Sequence, residues 1–233
     1  MAKTYLEQTE IEALENAATC SRDRLFITVL HRVGCRVTEG TQIEVPDIDF
    51  DRRILRIEHL KTRLLASCSS CGARLGRKHS FCPSCGERVA ALVTKAKERR
   101  KMRELPLDDE MLRSLREYID SGGPIKRNGK TLLFGFGRHR GWQIVRDCAR
   151  RAGIQDLVNP ETGRSRGISP HRLRDAFATN AMKTDSSVEG TRMLQQQLGH
   201  QSFDTTARYR KISDDEHRRW YQQLWDRAHK SEN

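Results

Sequence analysis

A chain of 233 residues, 36% hydrophobic and 32% charged, is long enough to bury a sizeable core in one or two domains. Lysine and arginine outnumber aspartate and glutamate by 43 to 31, and the sequence pI is near 9.7, which favours a polyanionic partner: nucleic acid, or on charge alone an anionic membrane surface. No apolar run approaches the roughly 20 residues of a membrane helix, nothing at the Met-Ala-Lys-Thr start suggests export, and an odd count of seven cysteines argues against a disulfide framework.

Residues 8–18 carry Ile11, Leu14 and Ala18 at helical spacing. Leu25, Phe26, Val29, Leu30 and Val33 repeat it over 22–33, with Gly34 as the stop. Arg36 follows that stop, where a turn can aim it inwards, and Glu39 is placed to brace it. Asp47–Phe50 and Ile54–Ile57 read as short strands joined through Asp51, Arg52 and Arg53.

Two C-x₂-C pairs come next, Cys68/Cys71 and Cys82/Cys85, with ten residues between them and a glycine after each pair. This is the spacing of a zinc ribbon over residues 67–88. Four thiolates leave the metal no open position, so the expectation is a structural Zn²⁺; an iron–sulfur centre suits a compact double knuckle less well. Cys20, Cys35 and Cys148 read as small buried hydrophobes.

Residues 95–103, Lys-Ala-Lys-Glu-Arg-Arg-Lys-Met-Arg, read either as a solvated strand or as a hairpin arm facing nucleic acid. Asp108, Asp109 and Glu110 favour a helix start, followed by Met111, Leu112, Leu115 and Ile119 and ended by Gly122-Gly123. Leu132–Phe134 is a short apolar run. Residues 140–152 predict a helix that turns Trp142, Val145, Cys148, Ala149 and Ala152 inwards. A polar, basic loop from Asn159 to Gly167 leads to Ser169, a good N-cap, and Pro170, which suits the first helical position. His171 and Arg174 then share one helical face, with Leu173, Phe177 and Ala181 turned to the core. Met193, Leu194 and Leu198 line another helix that Gly199 ends, so His200 falls just past a helix end and nine residues before Tyr209. Asp214–Glu216 open a last helix bearing Trp220, Tyr221, Leu224 and Trp225, a surface suited to docking on its own domain or on a neighbouring protomer.

The set His171-x-x-Arg174, Leu198-Gly199-His200 and Tyr209, preceded by Gly34-Cys35-Arg36-Val37-Thr38-Glu39, resembles in order and spacing the tyrosine recombinases, which include phage integrases and Xer-type recombinases. Cys35 replaces the leucine usual in the first-arginine motif. The resemblance implies an α+β fold: a mostly helical catalytic domain with a small antiparallel sheet over residues 1–66 and 89–213, the inserted zinc ribbon at 67–88, and a helical tail over 214–233. It also implies the catalytic set Arg36, Lys61, His171, Arg174, His200 and Tyr209. In the family the catalytic lysine sits in the turn between the second and third strands, where Lys61 falls; Lys95, beyond the ribbon, is the alternative. A helical core-binding domain usually precedes the catalytic domain, and the expectation here is a chain that begins almost at the catalytic domain.

The chemistry accounts for these residue types. Cleavage of a phosphodiester builds negative charge on non-bridging oxygens, which permanently protonated arginine forks bind bidentately. A phenolic nucleophile stores the bond as a phosphotyrosine, so rejoining needs no ATP. A general acid must protonate the departing 5′ oxygen. The resemblance therefore implies site-specific integration or excision on double-stranded DNA by a homo-oligomer, tetrameric in synapsis, in the cytoplasm and nucleoid rather than on a membrane. Two rivals share the residues: a type IB topoisomerase-like enzyme, and a non-catalytic DNA-binding regulator derived from a recombinase.

Overall fold

The computed structural model describes residues 5–76, 79–89, 93–158 and 163–199, with backbone alone for 59–66, 74 and 93–101. These divide into two units, Asp47–Pro106 forming one and the chain on either side of it the other.

In the larger unit α1 (Gln8–Asn16) opens with a reciprocal Glu7/Glu10 capping box and buries Ile11 and Leu14. It is shorter than the 8–18 expected, because Ala17 already serves as its C-cap. Helix α2 (Ser21–Val33) is the centre of this unit: Leu25, Phe26, Ile27, Val29, Leu30 and Val33 are all buried. Cys20 is its N-cap residue and is exposed, so the expectation of a buried thiol fails there, whereas Cys35 and Cys148 are buried as expected. A single turn, α3 (Val37–Gly40), follows.

The smaller unit begins with a hairpin of β1 (Ile48–Asp49) and β2 (Ile54–Ser67), with Arg53 in the left-handed region at its turn. A two-residue strand, β3 (Arg74–Leu75), pairs with the end of β2, and β4 (Val93–Pro106) pairs with β2 along its whole length, from Ile54↔Pro106 to Ser67↔Val93. The register is unbroken, so the cysteine-rich segment hangs from the tip of a fourteen-residue hairpin. Lys61 accordingly stands in mid-strand opposite Arg99, not at the strand end expected from the family turn, and Lys95 pairs with Leu65. Near the hairpin base, Arg52 and Arg56 converge on Glu104, and Arg56 also reaches Asp49.

The larger unit resumes with α4 (Asp109–Asp120), whose N-cap Asp108 accepts from the Met111 amide at 2.8 Å, a bond of about 1 kcal/mol. Strands β5 (Ile125–Arg127) and β6 (Lys130–Leu132) form a small hairpin. Phe134 and Phe136 pack edge-on against Phe26 with ring centroids 5.1 and 4.9 Å away. Helix α5 (Arg138–Arg151) turns Ile144, Val145, Cys148 and Ala149 inwards. Trp142 is not among them: it lies at the surface under the Arg146 guanidinium, 4.6 Å from its ring centroid. After the short pair β7 (Leu157–Val158) and β8 (Ser165–Arg166) come α6 (Pro170–Thr184) and α7 (Val188–Leu198). These two close a cluster of Ala178, Met182, Leu194 and Leu198, flanked by Phe177 and Ala181. Met193, expected inside, is exposed because its position falls off the α7 stripe defined by Thr191, Leu194 and Leu198. Among the described residues no helix is long and apolar enough to cross a membrane.

Candidate active site

Three helix ends build the site in the larger unit. Helix α2 stops at Gly34, whose φ of +66° lies in the left-handed region and whose missing Cβ would stand 2.6 Å from the Phe177 ring, so both backbone and space call for glycine. Two residues later Arg36 is the N-cap of α3. Glu39, 4% exposed, accepts from the Arg36 amide at 2.9 Å through one oxygen and from Arg36 Nη1 at 3.0 Å through the other. The carboxylate thus fixes both the turn and the guanidinium, and the side chain of Arg36 stays half-buried.

Helix α6 starts at Pro170 with Ser169 as its N-cap residue, although the serine hydroxyl makes no capping bond. Arg174 is only 2% exposed. Its Nη1 donates to the Gly34 carbonyl at 2.6 Å and its Nη2 to the Leu198 carbonyl at 2.7 Å. Both acceptors belong to the C-terminal ends of helices, where the dipole concentrates partial negative charge. That charge and the two strong bonds offset the cost of burying a guanidinium. Gln197 donates to the Val33 carbonyl at 3.2 Å, so α7 ties itself to the same end of α2. His171, one turn earlier on α6, is exposed, with Nε2 3.7 Å from Asp175 Oδ1. The two family positions are neighbours on the helix yet differ in burial, because His171 lies in the first turn and Arg174 lies between the ends of α2 and α7.

Helix α7 ends at Gly199, φ +64°, and the next residue is His200. His200 and Tyr209 lie outside the described residues, as does the 214–233 tail, and of Lys61 and Lys95 only the backbone is described. The expected residues brought together are therefore Arg36 and Arg174, through the end of α2. Sequence reasoning missed Asp175 and Gln197. The i,i+4 spacing of Asp175 from His171 was a usable signal; nothing in the sequence marks Gln197.

In the smaller unit the four ribbon sulfurs of Cys68, Cys71, Cys82 and Cys85 all lie within 4.8 Å of one another. Cys68 and Cys85 Sγ are 3.7 Å apart, and Cys71 and Cys82 Sγ 3.6 Å. A disulfide would need about 2.05 Å. Sulfurs placed tetrahedrally about 2.3 Å from a metal stand about 3.8 Å from each other, so the set fits a tetrathiolate ion site. The two knuckles are alike: the amides of Gly72 and Gly86 donate to the carbonyls of Cys68 and Cys82, and both glycines have φ near +70°. The Cys71 and then the Ser70 amide pull the Cys68 thiol down to about 6, and the amides of Cys85 and Ser84 lower Cys82 in the same way. For Cys85 the Glu87 amide also lowers the thiol, but the neighbouring thiols of Cys71, Cys82 and Cys68 and burial push it up to about 12. Four thiolates oppose one another at this range, and a divalent cation removes the opposition.

The sequence pattern of the phage integrase family matches residues 4–65 and 85–216, most of the chain. The chain belongs to the phage integrase family. The match breaks off across residues 66–84, which hold three of the four ribbon cysteines, so this family member carries its cysteine cluster largely outside the shared pattern. A tyrosine recombinase XerC from Herpetosiphon aurantiacus is 28% identical over 203 residues, covering 83% of this chain and 49% of the relative. The chain spans about half the length of the curated relatives it matches. The fold resembles the crystal structure of XerA recombinase, with a TM-score of 0.60 at 23% identity over 96% of this chain and 64% of that one. It also resembles the Tn1549 transposon integrase in complex with transposon right end DNA, with a TM-score of 0.62 at 15% identity over 96% of this chain and 66% of that one. Both solved structures support the mostly helical fold with small antiparallel sheets.

Proposed function

We propose that this chain is the catalytic domain of a site-specific DNA recombinase that cleaves and rejoins double-stranded DNA through a 3′-phosphotyrosine. The observation that carries the reading is the bond from Arg174 to the Gly34 carbonyl, which ties one family arginine to the helix end from which the other, Arg36, emerges two residues later. Two guanidiniums held from one rigid point suit a clamp on the non-bridging oxygens of a scissile phosphate.

In this mechanism the Tyr209 hydroxyl gives up its proton to solvent, its oxygen attacks phosphorus and forms the phosphotyrosine bond, and the bond from phosphorus to the 5′ oxygen breaks. Lys61 gives that oxygen its proton. Arg36, Arg174, His171 and His200 hold the charge that develops, and attack by a 5′ hydroxyl on the phosphotyrosine reverses the steps and rejoins the strand. The bond energy is retained throughout, so no ATP is consumed.

Cys68, Cys71, Cys82 and Cys85 hold a structural Zn²⁺, supported by the sulfur spacing and the paired knuckles. Zinc fixes the ribbon and takes no part in the transfer. A relative named as a recombinase and a neighbour solved in complex with transposon DNA support DNA as the partner. In this proposal the protein acts on that DNA as a homo-oligomer in the cytoplasm.

Sequencing of DNA that stays covalently attached to the chain after denaturing purification from cells tests the proposal. Strands ending at one recurrent position, linked through a 3′ phosphate, are expected; purification without covalently bound DNA would sink the reading.

A further inference from the structure

The smaller unit holds a disproportionate share of the charge. Between Asp47 and Pro106 stand 15 lysines and arginines and 7 aspartates and glutamates, a net +8 of the +12 carried by the whole chain. Its two long strands, β2 and β4, are paired over fourteen positions. At roughly 3.3 Å per residue they carry the ribbon about 40 Å from the hairpin base. That distance slightly exceeds one turn of B-form DNA, about 35 Å.

The ribbon has its own small core of Leu75, Cys68 and Cys82, with Ala73 and Val89 packed on it. Phe81 is not part of it. Its ring is 60% exposed, although burying such a side chain is worth about 2 kcal/mol. Phe81 faces Arg88 across an antiparallel bridge. The flanking bonds, Cys82 amide to Glu87 carbonyl at 2.8 Å and Val89 amide to Ser80 carbonyl at 2.9 Å, make this a non-hydrogen-bonded pair, the kind in which side chains stand closest and on one face. Arg88 is exposed beside it. An exposed aromatic ring next to a guanidinium, on a strongly basic unit, matches a duplex groove: the cation meets phosphate and the ring lies against sugar or base edges.

We infer that the Phe81–Arg88 face of the ribbon is a second DNA-contacting surface that grips duplex DNA, with Phe81 in the segment where the family pattern is interrupted and Arg88 just past its resumption at residue 85. The inference rests on the proposed action on DNA. Charge complementarity selects DNA over an acidic protein, because the excess positive charge runs along the hairpin as well as the ribbon and so matches an extended anionic rod.

The test uses the whole metal-loaded chain and a 40-base-pair duplex of mixed sequence (about 40 base pairs spans four helical turns), titrated at several salt concentrations. Arg88→Ala is expected to reduce the slope of log affinity against log salt by about 1, and Arg88→Lys to restore it. Phe81→Ala is expected to weaken binding about fivefold or more while leaving the slope unchanged. Retained metal certifies that each variant is folded. If metal-loaded Arg88→Ala and Phe81→Ala bind the duplex as the parent does, the inference is overturned. Variants that keep duplex affinity but lose affinity for polyglutamate would overturn it in favour of an acidic protein partner. A parent chain that itself binds no duplex would remove the proposed function, a distinct outcome.

Discussion

Arg174 donates to the carbonyl of Gly34, 140 residues earlier in the chain, at 2.6 Å, and in doing so holds the stop of α2 against the stop of α7. The same side chain is thus a candidate phosphate ligand and a structural rivet. Arg174→Ala removes two bonds from a charged donor and leaves two carbonyls at helix ends without it, a loss of about 3 kcal/mol or more. Chemical denaturation should show that loss alongside a cleavage rate reduced by about 10² or more. Arg174→Lys keeps the charge but not the fork, so it should recover part of the stability and little of the rate. An alanine variant as stable as the parent would mean that the Gly34 and Leu198 bonds contribute nothing.

Removal of the proposed nucleophile should separate binding from chemistry. Tyr209→Phe is expected to abolish the covalent adduct and to leave DNA binding close to that of the parent, as read by denaturing gels and by titration. Tyr118 is unsuited to the role: it is 6% exposed and its hydroxyl donates to the Gly123 carbonyl at 3.0 Å. Burial also pushes its pKa up, away from the phenolate an attacking oxygen needs. Tyr118→Phe should therefore keep the adduct, at a stability cost of about 1 kcal/mol. Loss of the adduct in Tyr118→Phe with retention in Tyr209→Phe would reassign the nucleophile.

The ribbon should hold one zinc per chain. Metal analysis of protein purified without chelator should find it, and Cys68→Ser combined with Cys71→Ser should release it. Proteolysis should then open residues 67–88 while adduct formation through Tyr209 persists. Metal-free protein whose ribbon resists protease would show that the cysteines hold together without an ion.

How much of this was readable beforehand follows from where each signal lives. The α2 and α7 stops were legible because glycine is needed there for a local reason, a left-handed φ, and the family motifs sit on those stops. Helix faces were less legible: Trp142 and Met193 fit an apolar stripe by type, but the stripe that packs is set by which neighbours lie opposite. Strand β2 was read only as far as Ile57, because Glu58, His59 and Lys61 break the apolar pattern, and its continuation to Ser67 depends on pairing with β4 on the far side of the ribbon. The bonds from Arg174 and Gln197 to the end of α2 cross 140 and 164 residues, beyond any window that reads local periodicity.

His31 supplies a pH dependence. Burial first, and then the charge of Arg32, hold its pKa down to about 4 against an ordinary 6.5. Because the folded value lies below the unfolded one, the unfolded chain binds the proton first, and stability falls as pH drops through the window from about 6.5 to about 4. Between pH 7 and pH 5 the loss from this group is about 2 kcal/mol. Denaturation at both pH values should show the parent losing that much more than His31→Gln, which cannot titrate. Equal losses in the two proteins would mean that His31 is free to protonate in the folded chain.

The last prediction concerns which lysine serves as general acid in the proposed mechanism. Lys61 lies seven positions along β2, opposite Arg99, whereas Lys95 lies near the ribbon end of β4, opposite Leu65. The two stand four registered pairs apart, about 13 Å along the ribbon at roughly 3.3 Å per residue, so one active site cannot use both interchangeably. The family resemblance assigns the role to Lys61 as the position before the insertion. The observed register removes one argument for that choice, since Lys61 does not end its strand, and the family pattern does not choose between the two, matching Lys61 within residues 4–65 and Lys95 within residues 85–216. A substrate whose bridging 5′ oxygen is replaced by sulfur decides between them, because a thiolate departs without a proton. Lys61→Ala should cleave ordinary DNA slowly, by about 10² or more, and the sulfur substrate at nearly the parent rate. Lys95→Ala should show no such rescue. The reverse pattern transfers the general acid to Lys95, and an absence of rescue in both variants would place the proton donor on neither strand position.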